Sequence, residues 1–257
     1  MRWAIAFLVW AGTAQAEVNW PADADLLVLG EIHDNPDHHV LQAQIVSSVR
    51  PVAIVFEMLT PEQAAIASGM DRSDAVKLGA ALDWQNSGWP DFAMYHPIFA
   101  AAPDAIVFGA ALPGDLAGAA MELGVIAAFG PEAAAYGLTP LSPEVQAQQE
   151  AEQAAAHCNA LPPEILPRMV DVQRMRDAHF AKAMVQAYDR FGGPVVLITG
   201  TGHARTDIGV PAALRHARPD LGVWALGHLE SADDDIPFDA VNVTVPIQRP
   251  DPCLAFQ

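Results

Sequence analysis

Four short, uninterrupted apolar runs, at 26–29, 52–56, 105–108 and 195–199, constrain this chain more than any other feature, and 223–226 is a fifth. Each is too short for a helix, and none alternates with polar residues as a strand with one wet face would. They read as strands of a parallel sheet covered on both faces. Between them lie stretches with helical spacing, at 37–49, 61–81 (broken near Gly69), 92–101, 115–129 and 143–190, the last interrupted at Leu161-Pro162-Pro163. Strand and helix alternate, so the expected fold is α/β: an open, mostly parallel central sheet with helices on both faces. The segment before the fourth run is too long for one crossover, and 115–190 is expected to form a helical cap. Residues 241–247 alternate enough for an edge strand.

The 52% apolar content is ample for one core. At the N-terminus, Arg2, an apolar run from Ala4 to Trp10 and Ala14-Gln15-Ala16 have the order of a cleaved export signal, giving 1–16 as signal peptide and 17–257 as a single α/β domain. The expected location is therefore periplasmic, with no membrane anchor. The net charge of −18 excludes nucleic acid as a natural partner. In an oxidising compartment Cys158 and Cys253 either form a disulfide or leave Cys158, next to His157, as a soft ligand.

In an open parallel sheet, ligands bind beyond the carboxyl ends of the strands. There the first run is followed by Glu31 and His33, the second by Glu57, the fourth by Gly200-Thr201-Gly202-His203-Ala204-Arg205, and the fifth by His228. Glu31, His33, Glu57 and His203 are thus expected on one rim. Carboxylates and imidazoles together suit a divalent metal (Mn, Co or Zn) or acid–base catalysis, with Arg205 to stabilise developing negative charge. Gly30, Gly200 and Gly202 would let the backbone turn and approach a ligand closely. Gly200-x-Gly202 lacks a third glycine for a dinucleotide loop, and no serine sits in a nucleophile elbow. On the long helix Gln173 and Asp177 share a face with apolar residues. Asp177 either bonds into neighbouring helices or orients a cleft histidine. His38 and His39 read as solvated surface residues.

Taken in order, Gly30-Glu31-Ile32-His33-Asp34, Glu57, His157-Cys158 with Leu161-Pro162, Gln173-Arg174-Met175-Arg176-Asp177, and Gly200-Thr201-Gly202-His203 with Gly209-Val210-Pro211 resemble the ChaN-like haem-binding proteins of the Tiki and erythromycin esterase superfamily, over roughly 25–226. The resemblance implies haem as cofactor, a role in iron acquisition, a homodimer around stacked haems and a tyrosine as iron ligand. Tyr95 and Tyr136 are the phenolate candidates, with His157 as a further haem contact, while Tyr188 reads as core. The superfamily's paired Gly-x-x-His motifs map onto Gly30–His33 and Gly200–His203. In the Tiki branch such motifs mark a metal-dependent hydrolase, so hydrolysis of peptide or ester bonds is the alternative expectation. A non-catalytic binder of another small ligand is a third, since fold alone does not fix chemistry.

Overall fold

The computed structural model describes residues 18–232, 236–251 and 253–254, so the expected export signal lies outside the described residues. All four principal runs and the fifth form strands: β1 (Leu26–Glu31), β2 (Ala53–Phe56), β3 (Ile106–Gly109), β4 (Val195–Gly200) and β5 (Val223–Leu229). The alternating tail supplies β6 (Ala240–Val243), shorter than expected. They form one sheet in the order β3-β2-β4-β1-β5-β6, every neighbouring pair parallel.

The helices are α1 (Pro36–Val49), α2 (Pro61–Gly69), α3 (Ala75–Ala81), α4 (Phe92–Ala101), α5 (Gly114–Leu123), α6 (Val125–Phe129), α7 (Pro143–Ala156), α8 (Leu166–Phe191) and α9 (Val210–Ala217). Local chemistry sets their starts. Asn35 caps α1 by accepting from the Asp37 N–H, with Pro36 at the first helical position, and Thr60 with Gln63 forms a capping box on α2.

Side chains alternate across the sheet, and this divides the core in two. Leu27, Leu29, Ile54, Phe56, Val196 and Ile198 face α1 to α4, where Phe56 stacks on Phe99 with centroids 4.2 Å apart. Leu26, Val28, Val55, Val195 and Leu197 face the other layer, which includes Phe180 and Met184 of α8 and Leu214 of α9. Burying each large side chain contributes about 1.5–3 kcal/mol.

The segment expected as a cap divides by role. Its last helix, α8, is a layer helix packed on β2, β3 and β4, while α5, α6 and α7 pack against α8. Cys158 and Cys253 form a disulfide, which removes the soft-ligand reading of Cys158 and ties the tail to the end of α7. No helix among the described residues is long and apolar enough to cross a membrane.

Candidate functional site

Strand register assembles the site. Glu31, the last residue of β1, stands opposite Gly200, the last of β4. Glu57 follows β2 directly and its N–H donates to the Ile198 carbonyl, which places its carboxylate beside the end of β4. Thr199 Oγ1 donates to Glu57 Oε2 at 2.6 Å and the Gly200 N–H does so at 2.8 Å. A one-turn 3-10 helix, Thr201–Ala204, then carries His203 back over the rim.

His203 is held from below by α8. Its Nδ1–H donates to Asp177 Oδ1 at 2.6 Å, the Gln173 amide lies 3.1 Å from the same nitrogen, and Nε2 faces Glu57 Oε1 at 3.8 Å. Asp177 therefore orients a rim histidine. Burial opposes charge on His203, but the Asp177 and Glu57 carboxylates outweigh it and hold its pKa above the ordinary value. Glu57 moves the opposite way: burial would raise it, yet His203, His33 and the two hydrogen bonds from β4 hold it low.

The end of β1 mirrors this arrangement. His33 Nδ1–H donates to Glu31 Oε1 at 2.9 Å, and Tyr95 of α4 donates its hydroxyl to the same oxygen, also at 2.9 Å. His39 places Nδ1 3.5 Å from Glu31 Oε2, and its Nε2–H donates to the His33 carbonyl. Burial lowers His33, but Glu31 and Glu57 together raise it. Two imidazoles, each with Nδ1 committed to a carboxylate, thus flank Glu57. Gly30 and Gly200 serve protein contacts here. A Cβ at Gly30 would lie 2.9 Å from Ala204 Cβ, and one at Gly200 would lie 3.0 Å from His33 Nε2.

The rim gathers Glu31, His33, Glu57 and His203, but not as the expected metal centre. No group of three or more His, Cys, Asp or Glu side chains arranged to hold a metal ion occurs among the described residues. Glu31 Oε1 accepts from His33 and Tyr95, and Glu57 Oε2 from Thr199 and Gly200, so one oxygen of each carboxylate is spent on protein contacts. Arg205 is also committed, to Asp207 at 2.8 and 3.0 Å and to Glu152 of α7 at 2.9 Å, and it makes no hydrogen bond to the four rim side chains.

The expected haem contacts lie apart from one another. Tyr95 is fully buried, its hydroxyl spent on Glu31 and its pKa raised by burial and that carboxylate. Tyr136 sits in a 3-10 turn in the core of the opposite layer, its ring 5.3 Å from Phe129, and burial pushes its hydroxyl up to about 12. His157 caps α7 next to the disulfide, with Nδ1 bonded to the Gln153 carbonyl at 2.8 Å. Tyr188 is half-buried rather than core and donates to Asp25.

Sequence reasoning missed His38 and His39, which are buried. Only residues 32–35 separate β1 from α1, so the first turn of α1 is pressed against the rim, and that brevity was the available signal. It also missed an open groove of about 610 Å³ beside the rim, formed by α3, the turn Trp84–Asn86 and the start of α4, and lined by Val76, Trp84, Trp89 and Phe92. Trp89 joins groove to rim, its ring centroid 4.9 Å from that of His33.

An all-parallel sheet with a polar carboxyl edge and an adjoining apolar groove is the arrangement in which open α/β folds place their ligand sites. Residues 19–214 match the family described as haem-binding uptake, Tiki superfamily, ChaN, and the chain belongs to that family. No curated protein matches it. Among solved structures, the fold is similar to that of a Campylobacter jejuni ChaN described with cofacial haem binding: 21% identity, 83% of this chain and 84% of the other covered, TM-score 0.63. Weaker likenesses are to a succinoglycan biosynthesis protein, at 11% identity, 81% and 66% covered, TM-score 0.42, and to the type III effector HopBA1, at 13% identity, 85% and 88% covered, TM-score 0.40.

Proposed function

We propose that this chain is an exported haem-binding protein of iron acquisition that seats haem in the aromatic groove beside the strand-end rim. The observation that carries the reading is family membership over residues 19–214. The groove supports it: about 610 Å³ lies within the usual range for small-ligand sites, and Trp89 and Phe92 offer apolar faces to a macrocycle over the buried Trp84. Bound haem would supply a redox-active iron, and the groove's lining would supply an apolar wall that limits water access. The disulfide suits an oxidising compartment such as the periplasm. The groove is open, and a haem held there would remain partly uncovered, which is compatible with a homodimer on loading. Haemin titration of the purified chain tests the reading. A saturable Soret shift, weakened in Trp89→Ala, is expected, with a rise in mass by light scattering, and a wild-type protein with no saturable shift would overturn it.

A second reading rests on the Asp177–His203 pair. With Nδ1–H fixed on Asp177, His203 presents Nε2 beside Glu57, an arrangement able to take a proton from water attacking a peptide or ester bond. Turnover of chromogenic esters or peptides that disappears in His203→Ala would support hydrolysis. No turnover by the wild type would remove this reading.

A further inference from the structure

The tail lies across the carboxyl edge of the sheet, and its ties there are unequal. After β6, Thr244 Oγ1 lies 2.8 Å from His38 Nε2, and Asn35 Nδ2 donates to Thr244 Oγ1 at 3.2 Å and to the Val245 carbonyl at 3.4 Å. Arg249 then grips Asp34 through two nitrogens, each at 2.7 Å, and Glu230 at 2.5 and 2.8 Å. These ties are polar and partly solvated. Val243, Val245 and Leu254 stay 48%, 77% and 59% exposed, so the tail buries little apolar surface of its own. Segments of that kind open locally long before the fold does. The Cys158–Cys253 bridge is the covalent tie that prevents it.

The bridge itself is placed to exchange. Cys158 follows α7 with φ 58°, and Asn159 with φ 56°, both in the left-handed region. Asparagine tolerates that region, whereas cysteine is strained there. Both cysteines are half-buried rather than sealed in the core. Strained or accessible bridges are the ones that react readily with thiols. What the tail grips also belongs to the rim: Asp34 and Asn35 lie in the loop between β1 and α1, directly after His33, and His38 is in the first turn of α1. Tail and rim loop are mechanically joined, so loosening one loosens the other.

We propose that the Cys158–Cys253 bridge is a thiol–disulfide exchange site for a dithiol reductant, and that opening it frees the tail and the 32–35 loop that carries His33. A thiolate of the reductant attacks one sulfur, the S–S bond breaks, and its electron pair leaves on the other cysteine. The second thiol of the reductant then resolves the mixed disulfide. The protein gains two electrons and two protons as two thiols, and the reductant ends as a disulfide. The rim loop is thereby ordered in the oxidised chain and loosened in the reduced one, whichever ligand the edge or the groove takes.

The test treats the full folded chain with dithiothreitol under native conditions and reads thiols by alkylation and mass, and backbone order by hydrogen exchange. Two thiols per chain are expected to appear while circular dichroism still shows a folded protein. Exchange in 32–35 and 240–249 should then quicken at least about tenfold, with β1 and β4 still protected, and reoxidation should restore the slow rates. A Cys158→Ser, Cys253→Ser double variant should match the reduced chain with no reductant present. If that variant folds poorly, reduction of the wild type still decides. Thiols that appear only once the chain is unfolded would overturn the exchange site. A reduced, folded chain with unchanged exchange in 32–35 and 240–249 would overturn the coupling, and so would loss of protection throughout β1 and β4, which would make the bridge a staple of the whole fold.

Discussion

At the carboxyl edge of one sheet stand two pairs of histidines in opposite electrostatic states. His33 and His203 each give Nδ1–H to a buried carboxylate, and both are held above their ordinary pKa. His38 and His228 stack on each other, centroids 4.8 Å apart, and bond to neutral groups: Thr244 and the Ile32 N–H for one, the Gly30 carbonyl for the other. Burial, unopposed by a carboxylate in contact, takes His38 down to about 4 and His228 down to about 3. Depth alone therefore does not decide what an edge histidine does. A carboxylate within hydrogen-bonding reach keeps it protonated to higher pH, and without one it becomes neutral packing.

The contrast fails most visibly if the carboxylates can be removed cheaply. Asp177→Ala leaves His203 in a buried site without its hydrogen-bond partner and is expected to cost about 3–5 kcal/mol in urea denaturation, with the His203 pKa lower than in wild type by NMR. The neutral pair depends instead on its roof. The tail reaches it through Thr244, and the disulfide holds the tail. Replacing both cysteines by serine is expected to cost about 4 kcal/mol on the chain-entropy model, and to let His38 titrate closer to 6.5. Tyr95→Phe removes one donor from the Glu31 carboxylate and should cost about 1.5–3 kcal/mol.

Smaller effects lie in the pH dependence, where the two pairs have different windows. For His38 and His228 the folded pKa is depressed, so the unfolded chain binds protons first. Stability is then lost as pH falls from 6.5 toward about 4 for His38 and about 3 for His228, by about 1.4 kcal/mol per unit at most for each ring. For His33 and His203 the folded pKa is raised, so their contribution is complete below 6.5 and is lost as pH rises through the folded value. Urea midpoints across pH 4–9 should fall at both ends, with His228→Phe flattening only the acid limb. If His203→Ala flattened that limb as well, the assignment of opposite states would be wrong. The smallest effect is expected at Arg249, which clamps Asp34 and Glu230 at the edge of the neutral side. Its alanine variant should lose about 1 kcal/mol or less, and less still in high salt.

The framework was legible because burial on both faces leaves an unmistakable mark: a strand such as Ala53–Phe56 has no polar position to disguise it. Given parallel strands, the convergence of Glu57 and His203 followed from where the strands end. The roles within the rim were less legible. Whether Glu57 is a metal ligand or an acceptor for Thr199 and Gly200 depends on distances of tenths of an ångström, which spacing does not encode. His38 and His39 looked solvated because they are polar residues in the first turn of a helix, and only the shortness of the preceding loop turns them inward. Tyr95 shares the buried stripe of α4 with Ile98 and Phe99, a spacing that signals burial but not that its hydroxyl would meet Glu31.

The sheet order has a consequence for biogenesis. β1 is the first strand made, yet it lies between β4 and β5, which come near the end of the chain. The middle of the sheet must wait for almost the whole polypeptide, and pairing across such spans is slow. The two-layered core on either side of β1 therefore closes only once β4 and β5 have joined it.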